Sequence, residues 1–192
     1  MGQDKGKQLL LASASKRRSK ILTELGVSFT VVSPAVDELV HADDPRGTVI
    51  ENSTRKNEWC RKRFKHAFIL SADTIVEFKG RIMTKPESAG EAQEFLQMLS
   101  GKTHRVFTGV AFSKPGKAPE LRVDISEVTF KNLTSAMIKK YIHDVNPMDR
   151  AGAYDIDENG DLLVESFTGS RTNIMGLSSE TVLELLRPEG LL

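Results

Sequence analysis

Short apolar runs of strand character alternate with segments of helical period from Gln8 to Leu186, and no unit of the chain repeats. Such alternation restricts the fold to a sheet with helices laid over it, an α/β or mixed α+β domain. Gln8 to Ala12 reads as a buried strand. Lys16 to Leu25 reads as a helix with Ser15 as N-cap, Ile21, Leu22 and Leu25 on one face, and Gly26 as its stop. Phe29 to Val32 predicts a second strand running into "SPAVDE", where Pro34 breaks the pattern and leaves Asp37 and Glu38 in a loop. A polar helix is expected from about Thr48 to Lys65, then a strand over "AFILSADTIVEF". Ser88 and Glu91 form a capping box ahead of Ala92, Phe95, Leu96 and Leu99, a helix face that stops at Ser100-Gly101. His104 to Phe112 and Leu121 to Phe130 predict strands joined by the hairpin loop "SKPGKAPE". A helix over Thr134 to His143, a strand over Leu162 to Phe167 and a capped helix over Ser178 to Leu186 complete the pattern.

No linker-like stretch divides the 192 residues, so one domain with one core is expected. A formal net charge of +1 supplies no long-range attraction to nucleic acid or to an anionic membrane, so any polyanion has to be met by local groups. The basic run Arg61 to His66 lacks interleaved aromatics and reads as a cation-rich helix C-terminus, so no stable nucleic-acid partner is expected. A single cysteine, Cys60, excludes an internal disulfide framework and a thiolate metal cluster. It fits a reducing compartment, for which the cytoplasm is the default. No apolar run approaches membrane length, and "MGQDKG" has Gly6 where a myristoylation signal carries Ser or Thr; no membrane anchor is expected.

The chemistry begins at "LLLASASKRRSKILTELG", which places Arg17 and Arg18 in the first turn of a helix. Cations there are unfavourable by roughly 0.3–1 kcal/mol each unless an anion compensates them. A strand-to-helix turn with Ser13 and Ser15 hydroxyls, free backbone N–H groups and paired guanidiniums has the makings of an anion site. Asp73 interrupts an apolar strand, where an unpaired carboxylate is costly. Either it caps a turn at a strand end, or it serves as a base or metal ligand. With Asp37 and Glu38 it suggests a carboxylate cluster able to hold a hard divalent cation bridged by phosphate oxygens. Lys56 and Lys85 are further candidates for the anion. "SGKTH" is not a P-loop, because Leu96 stands where the first glycine belongs and a strand follows in place of a helix. Nothing nearby makes a nucleophile pair with His104, which favours a structural role.

These segments, in order over nearly the whole chain, resemble the Maf family of nucleoside triphosphate pyrophosphatases. "LASASKRRSKILTELG" resembles the family's opening L-A-S-x-S-P-R-R motif, "SPAVDE" its acidic loop, "SADT" its A-D-T motif and "TKP" its lysine-proline step. "LSGKTHRVFTGVA", "DRAGAYDI" and "TNIMGLS" follow in the family's order. The resemblance implies an α/β sandwich around an elongated mixed sheet, flanked by helices, with a cleft between two lobes, similar to that of inosine triphosphatases. It also implies hydrolysis of a nucleoside triphosphate to monophosphate and pyrophosphate with a divalent cation, Mg2+ or Mn2+, and often a homodimer. By the same resemblance, Ser13, Arg17 and Arg18 lie on phosphate and substrate, Glu38 at the metal or substrate, and Lys56 and Lys85 on the polyphosphate. Asp73 would share the metal and accept the proton of the attacking water, and Thr74 would be a specificity position.

Three positions depart from the pattern. Lys16 and Ser178 stand where the family has proline, and Asp157 stands where pyrimidine-type members usually have glutamine. A glutamine amide both donates and accepts, whereas an ionised aspartate only accepts. "AGAY" still resembles the dTTP/UTP branch, so dTTP or UTP is the expected substrate, with another base, read by Asp157, as the alternative. A second alternative is a nucleotide-binding cell-division regulator without turnover.

Overall fold

The structure is a computed structural model that describes residues 7–192; the reading made at Gly2 and Gly6 lies outside the described residues. Its centre is a seven-stranded mixed sheet in the order β2-β1-β3-β5-β6-β7, with β4 paired to β3. Strands β1 (Leu9–Ala12), β2 (Thr30–Val32) and the first part of β3 (Phe68–Phe78) run parallel. The short β4 (Arg81–Met83), β5 (Thr103–Ser113), β6 (Glu120–Phe130) and β7 (Val164–Thr168) continue antiparallel. The expected strand at Leu162 begins two residues later, because Gly160–Leu162 form a 3-10 turn first.

Among the described residues, six α-helices cover the sheet: α1 (Lys16–Glu24), α2 (Pro45–Arg63), α3 (Ala89–Leu99), α4 (Ser135–Val145), α5 (Arg171–Met175) and α6 (Ser179–Leu186). Consecutive residues of β1 point to opposite faces, and both faces are buried: Leu9 and Leu11 join the large core under α1, α3, α4 and α6, while Leu10 and Ala12 pack with Cys60 of α2. A strand covered on both faces reads as an unbroken apolar run, which is why "LLLA" shows no alternation. Ser15, Ser88 and Ser178 cap their helices as their positions predict, and Thr134, read as the first residue of a helix, caps α4 from outside it. In the Ser88 box, Glu91 reaches one residue further back than expected and accepts from the Glu87 N–H.

Helix α2 starts earlier than its propensity suggests, at Pro45, with the Asp44 carboxylate accepting from the Gly47 N–H. Proline suits a first helical turn, where its missing N–H has no partner to lose. The face α2 lays on the sheet is largely polar: Thr48, Asn52, Ser53, Lys56 and Asn57 are all buried. They repeat at helical spacing, and the Asn52, Lys56 and Asn57 side chains find partners on the sheet, while the Thr48 hydroxyl bonds to His41 and Asp44 of the preceding loop. The Asn57 amide donates to the Ile69 and Ala111 carbonyls, and the Ser71 hydroxyl donates to the Ser53 and Ala111 carbonyls. A buried polar face of this kind is tolerated because most of its hydrogen bonds are made, Asn57 Oδ1 being the exception on it. Gly109 of β5 allows the approach, since a Cβ there would lie 2.4 Å from the Val49 carbonyl oxygen.

Strand β3 sets the site. One edge pairs with β5 from Ile69 to Glu77. The other edge pairs with β1 at Phe68–Leu70 and with β4 at Val76–Phe78. Among the described residues, Ser71 to Ile75 therefore have no strand neighbour on that edge. The sheet opens there into a cleft with β1 on one side and β4 on the other.

Candidate active site

Asp73 sits in the middle of this opening, mid-strand and not at the strand end where a turn-capping role would have placed it. It is 5% exposed, and both of its oxygens are engaged from α2. Oδ1 accepts from the Lys56 ammonium at 2.7 Å, and Oδ2 accepts from the Asn52 amide at 3.0 Å. Lys56 also donates to Glu38 Oε1 at 2.6 Å, and Lys85 approaches Glu38 Oε2 at 3.5 Å. Burial by itself would raise the Glu38 carboxyl; the two ammonium groups outweigh it and hold it down at about 2. The loop after β2 is fastened to α2 by Asn52, which accepts from the Leu39 N–H and donates to the Leu39 carbonyl. Asn52 went unnoticed in the sequence, although its spacing of four from Lys56 puts both on one helix face.

On the β1 side, the arginine pair divides. Arg18 is buried and holds the turn together: it donates to Ser13 Oγ (3.0 Å), Thr74 Oγ1 (3.0 Å) and the Gly176 carbonyl (2.8 Å). Burial lowers its pKa, with Asp73 opposing the shift and Arg17 adding to it. Gly176 presents that carbonyl from a left-handed cap of α5, at φ +111°. Thr74 also lies 3.0 Å from the Thr108 hydroxyl, so its side chain belongs to the same internal network. Arg17 stays partly exposed, with one N–H 3.3 Å from Asp155 Oδ2 and another 3.5 Å from the Asp149 carbonyl.

These groups line one cavity of about 340 Å3, within the range of small-molecule sites. Ser13, Arg17, Arg18, Glu38, Lys56, Asp73, Thr74 and Lys85 all contribute to its wall. Val76, Val106, Ala151, Tyr154, Ile174 and Met175 add apolar surface to the same wall. The cavity thus offers charge to an anion and apolar contact to a base. Tyr154 is held from behind by His104, whose Nε2 lies 2.9 Å from the phenol oxygen. His104 is buried, and burial drops its pKa to about 3, so it is a neutral core residue.

Two expectations need correction. Asp37 does not line the cavity, and among the described residues no group of three or more His, Cys, Asp or Glu side chains is gathered to hold a metal ion. In place of a carboxylate triad, a lysine ammonium stands between Glu38 and Asp73. Asp157, expected at the base, does not line the cavity either; Lys20 (2.5 Å) and Arg171 (3.0 Å) hold its carboxylate on the rim. Those contacts, Lys20 foremost, lower its pKa. The carboxylate that does face inward is Asp155, two residues earlier. Burial opposes its charge, but the Asp157 N–H and the Arg150 and Arg17 guanidiniums hold its carboxyl below the ordinary carboxylate range.

Residues 8–189 match the Maf family, described as Maf-like protein. The chain belongs to the Maf family. Among its Maf relatives is a protein of Halalkalibacterium halodurans named dTTP/UTP pyrophosphatase, 38% identical over 96% of this chain and 97% of that one. A protein of Myxococcus xanthus with the same name is 39% identical over 95% and 93%. Solved structures similar in fold include the Staphylococcus aureus Ham1 protein, at TM-score 0.55 and 12% identity over 95% of this Maf chain and all of that one. A HAM1 protein from Coxiella burnetii has TM-score 0.54 and 16% identity over 95% and 99%. The mixed sheet flanked by helices is thus a fold shared beyond the Maf family.

Proposed function

We propose that this chain is a nucleoside triphosphate pyrophosphatase that cleaves the anhydride between the α and β phosphates, with dTTP and UTP as its first substrates. One observation carries the reading: a buried carboxylate, Asp73, is fixed by Lys56 and Asn52 at the floor of a cavity whose wall is lined with cations. The names of relatives at 38–39% identity support the substrate.

Water is a poor nucleophile, and Asp73 is the group placed to take its proton as it adds to phosphorus. The bridging P–O bond breaks, and pyrophosphate leaves from the nucleoside monophosphate. Lys56 and Asn52 hold the Asp73 carboxylate in one orientation, so no side-chain reorganisation is needed as the proton moves. Lys85 and Arg17, the more exposed cations of the wall, meet the outer phosphates. Arg18 secures Ser13, Thr74 and the α5 cap around them.

Glu38 and Asp73 are hard oxygen donors in the cavity wall, and two carboxylates completed by substrate oxygens and water suit Mg2+ or Mn2+. A bound divalent cation supplies positive charge to the phosphates and makes water a better nucleophile. The apolar surface of the wall, the Tyr154 ring included, accommodates the base. Among the described residues no helix is long and apolar enough to cross a bilayer. Cytoplasmic action and a homodimer remain part of this reading.

The test is pyrophosphate release from dTTP, UTP, CTP and modified triphosphates with Mg2+ or Mn2+. Release led by dTTP or UTP supports the reading, and release led by another base keeps the reaction but changes the substrate. No release from any of them would leave a nucleotide-binding regulator in its place.

A further inference from the structure

Asp155 lines the cavity and pairs there with Arg17. All of its oxygen capacity facing protein is taken up. Oδ1 accepts from the Asp157 N–H (2.8 Å) and the Glu158 N–H (3.4 Å), while Oδ2 accepts from Arg150 Nε (2.9 Å) and Arg17 (3.3 Å). Its own N–H donates to the Tyr141 hydroxyl at 2.9 Å. Arg150 is in turn held by Asp149 and Glu158. The carboxylate is therefore fixed without any help from Arg17.

Arg17 is held lightly by comparison. Two of its five N–H groups make long contacts, 3.3 Å and 3.5 Å, and three remain for a ligand. The contact also crosses the cleft. Arg17 belongs to the helix that follows β1, whereas the Asp155 loop is tied to the β4 side through the Gly152 N–H and the Thr84 carbonyl. A guanidinium seated on one carboxylate can still present a planar pair of donors to phosphate oxygens. Arg150 and two N–H groups already compensate the Asp155 charge, so the seat adds little repulsion toward that phosphate.

We propose that Asp155 is a positioning residue that seats the Arg17 guanidinium over the polyphosphate in the cavity. The proposal rests on the polyphosphate reading of the site, and its test uses a ligand that carries no base. Calorimetric titration with inorganic tripolyphosphate is to be run on the wild type, Asp155→Asn, Arg17→Met and the double variant. Losing a hydrogen bond to a charged group makes an affinity loss of about tenfold the expectation for each single variant. The double variant should be no weaker than Arg17→Met, because Asp155 acts through Arg17. An unchanged or tighter Asp155→Asn overturns the proposal, as does a double variant in which the two losses multiply, the mark of a merely structural role. If Asp155→Asn does not fold by circular dichroism, Asp155→Ser takes its place in the cycle under the same criteria. In turnover, Asp155→Asn should raise KM with kcat nearly preserved. A wild type that binds tripolyphosphate yet releases no pyrophosphate from nucleotides rejects the proposed activity and leaves the cycle to judge Asp155.

Discussion

At the scale of single residues, the same chemical group takes its role from what surrounds it. Asp73, Asp155 and Asp157 are all paired with cations, but only Asp73 pairs at the floor of the cavity, with a helix-borne lysine and amide. Replacing its carboxylate with an amide, Asp73→Asn, should preserve folding and lower kcat by roughly 10²–10⁴-fold, the usual worth of a positioned base; near-normal rates would reject it as proton acceptor. Asp157→Gln should leave the ranking of bases in the substrate panel unchanged, because the side chain lies on the rim with Lys20 and Arg171; a switch in preference would return base reading to that position. His104 tests the core. Its folded pKa of about 3 lies below the ordinary value near 6.5, so the unfolded chain binds a proton that the folded one refuses. The stability it protects is complete above about pH 6.5 and is lost as pH falls toward 3, at up to about 1.4 kcal/mol per pH unit. Urea unfolding between pH 7 and pH 5 should show that slope and lose it in His104→Gln.

Elements differ in how much of them the sequence discloses. Helices with a serine or threonine cap and an apolar stripe, such as α3 and α6, are legible because local chemistry and burial agree. Helix α2 is not. Its buried face is Thr48, Asn52, Ser53, Lys56 and Asn57, so a reading based on apolar periodicity registers only a polar segment. The partners that justify those polar groups are strand carbonyls and Asp73, far away in the chain. Among site residues, Ser13, Arg17, Arg18, Glu38, Lys56, Asp73, Thr74 and Lys85 could be singled out from motifs, and the structure gathers them in one cavity. Which of Asp155 and Asp157 turns inward depends on a 3-10 connection and an arginine network that leave no periodic trace. The close seating of α2 yields a prediction at this scale. Gly109→Ala would push a methyl against the Val49 carbonyl, costing about 1–3 kcal/mol in urea unfolding. It should lower activity as well, since the displaced helix carries Asn52 and Lys56; an unchanged unfolding midpoint would show that α2 can yield.

For the whole molecule, the fold brings charged groups and apolar surface into one cavity by interrupting its own sheet. A polyanion needs the first and a base the second, so the reaction expected here draws on both. With Glu38 and Asp73 as the hard ligands proposed for the cation, and no group of three gathered among the described residues, chelation with EDTA should stop pyrophosphate release and excess Mg2+ or Mn2+ should restore it. Turnover that survived exhaustive chelation would mean that Lys56, Lys85 and Arg17 suffice.

The strand with two different neighbours along one edge also decides which element carries which group. Arg17 comes from the β1 side and Lys85 from the β4 side, while Asp73 lies between them on β3, whose other edge is paired without a break to β5 from Ile69 to Glu77. The cations therefore arrive from two different neighbours of the strand that bears the proposed proton acceptor.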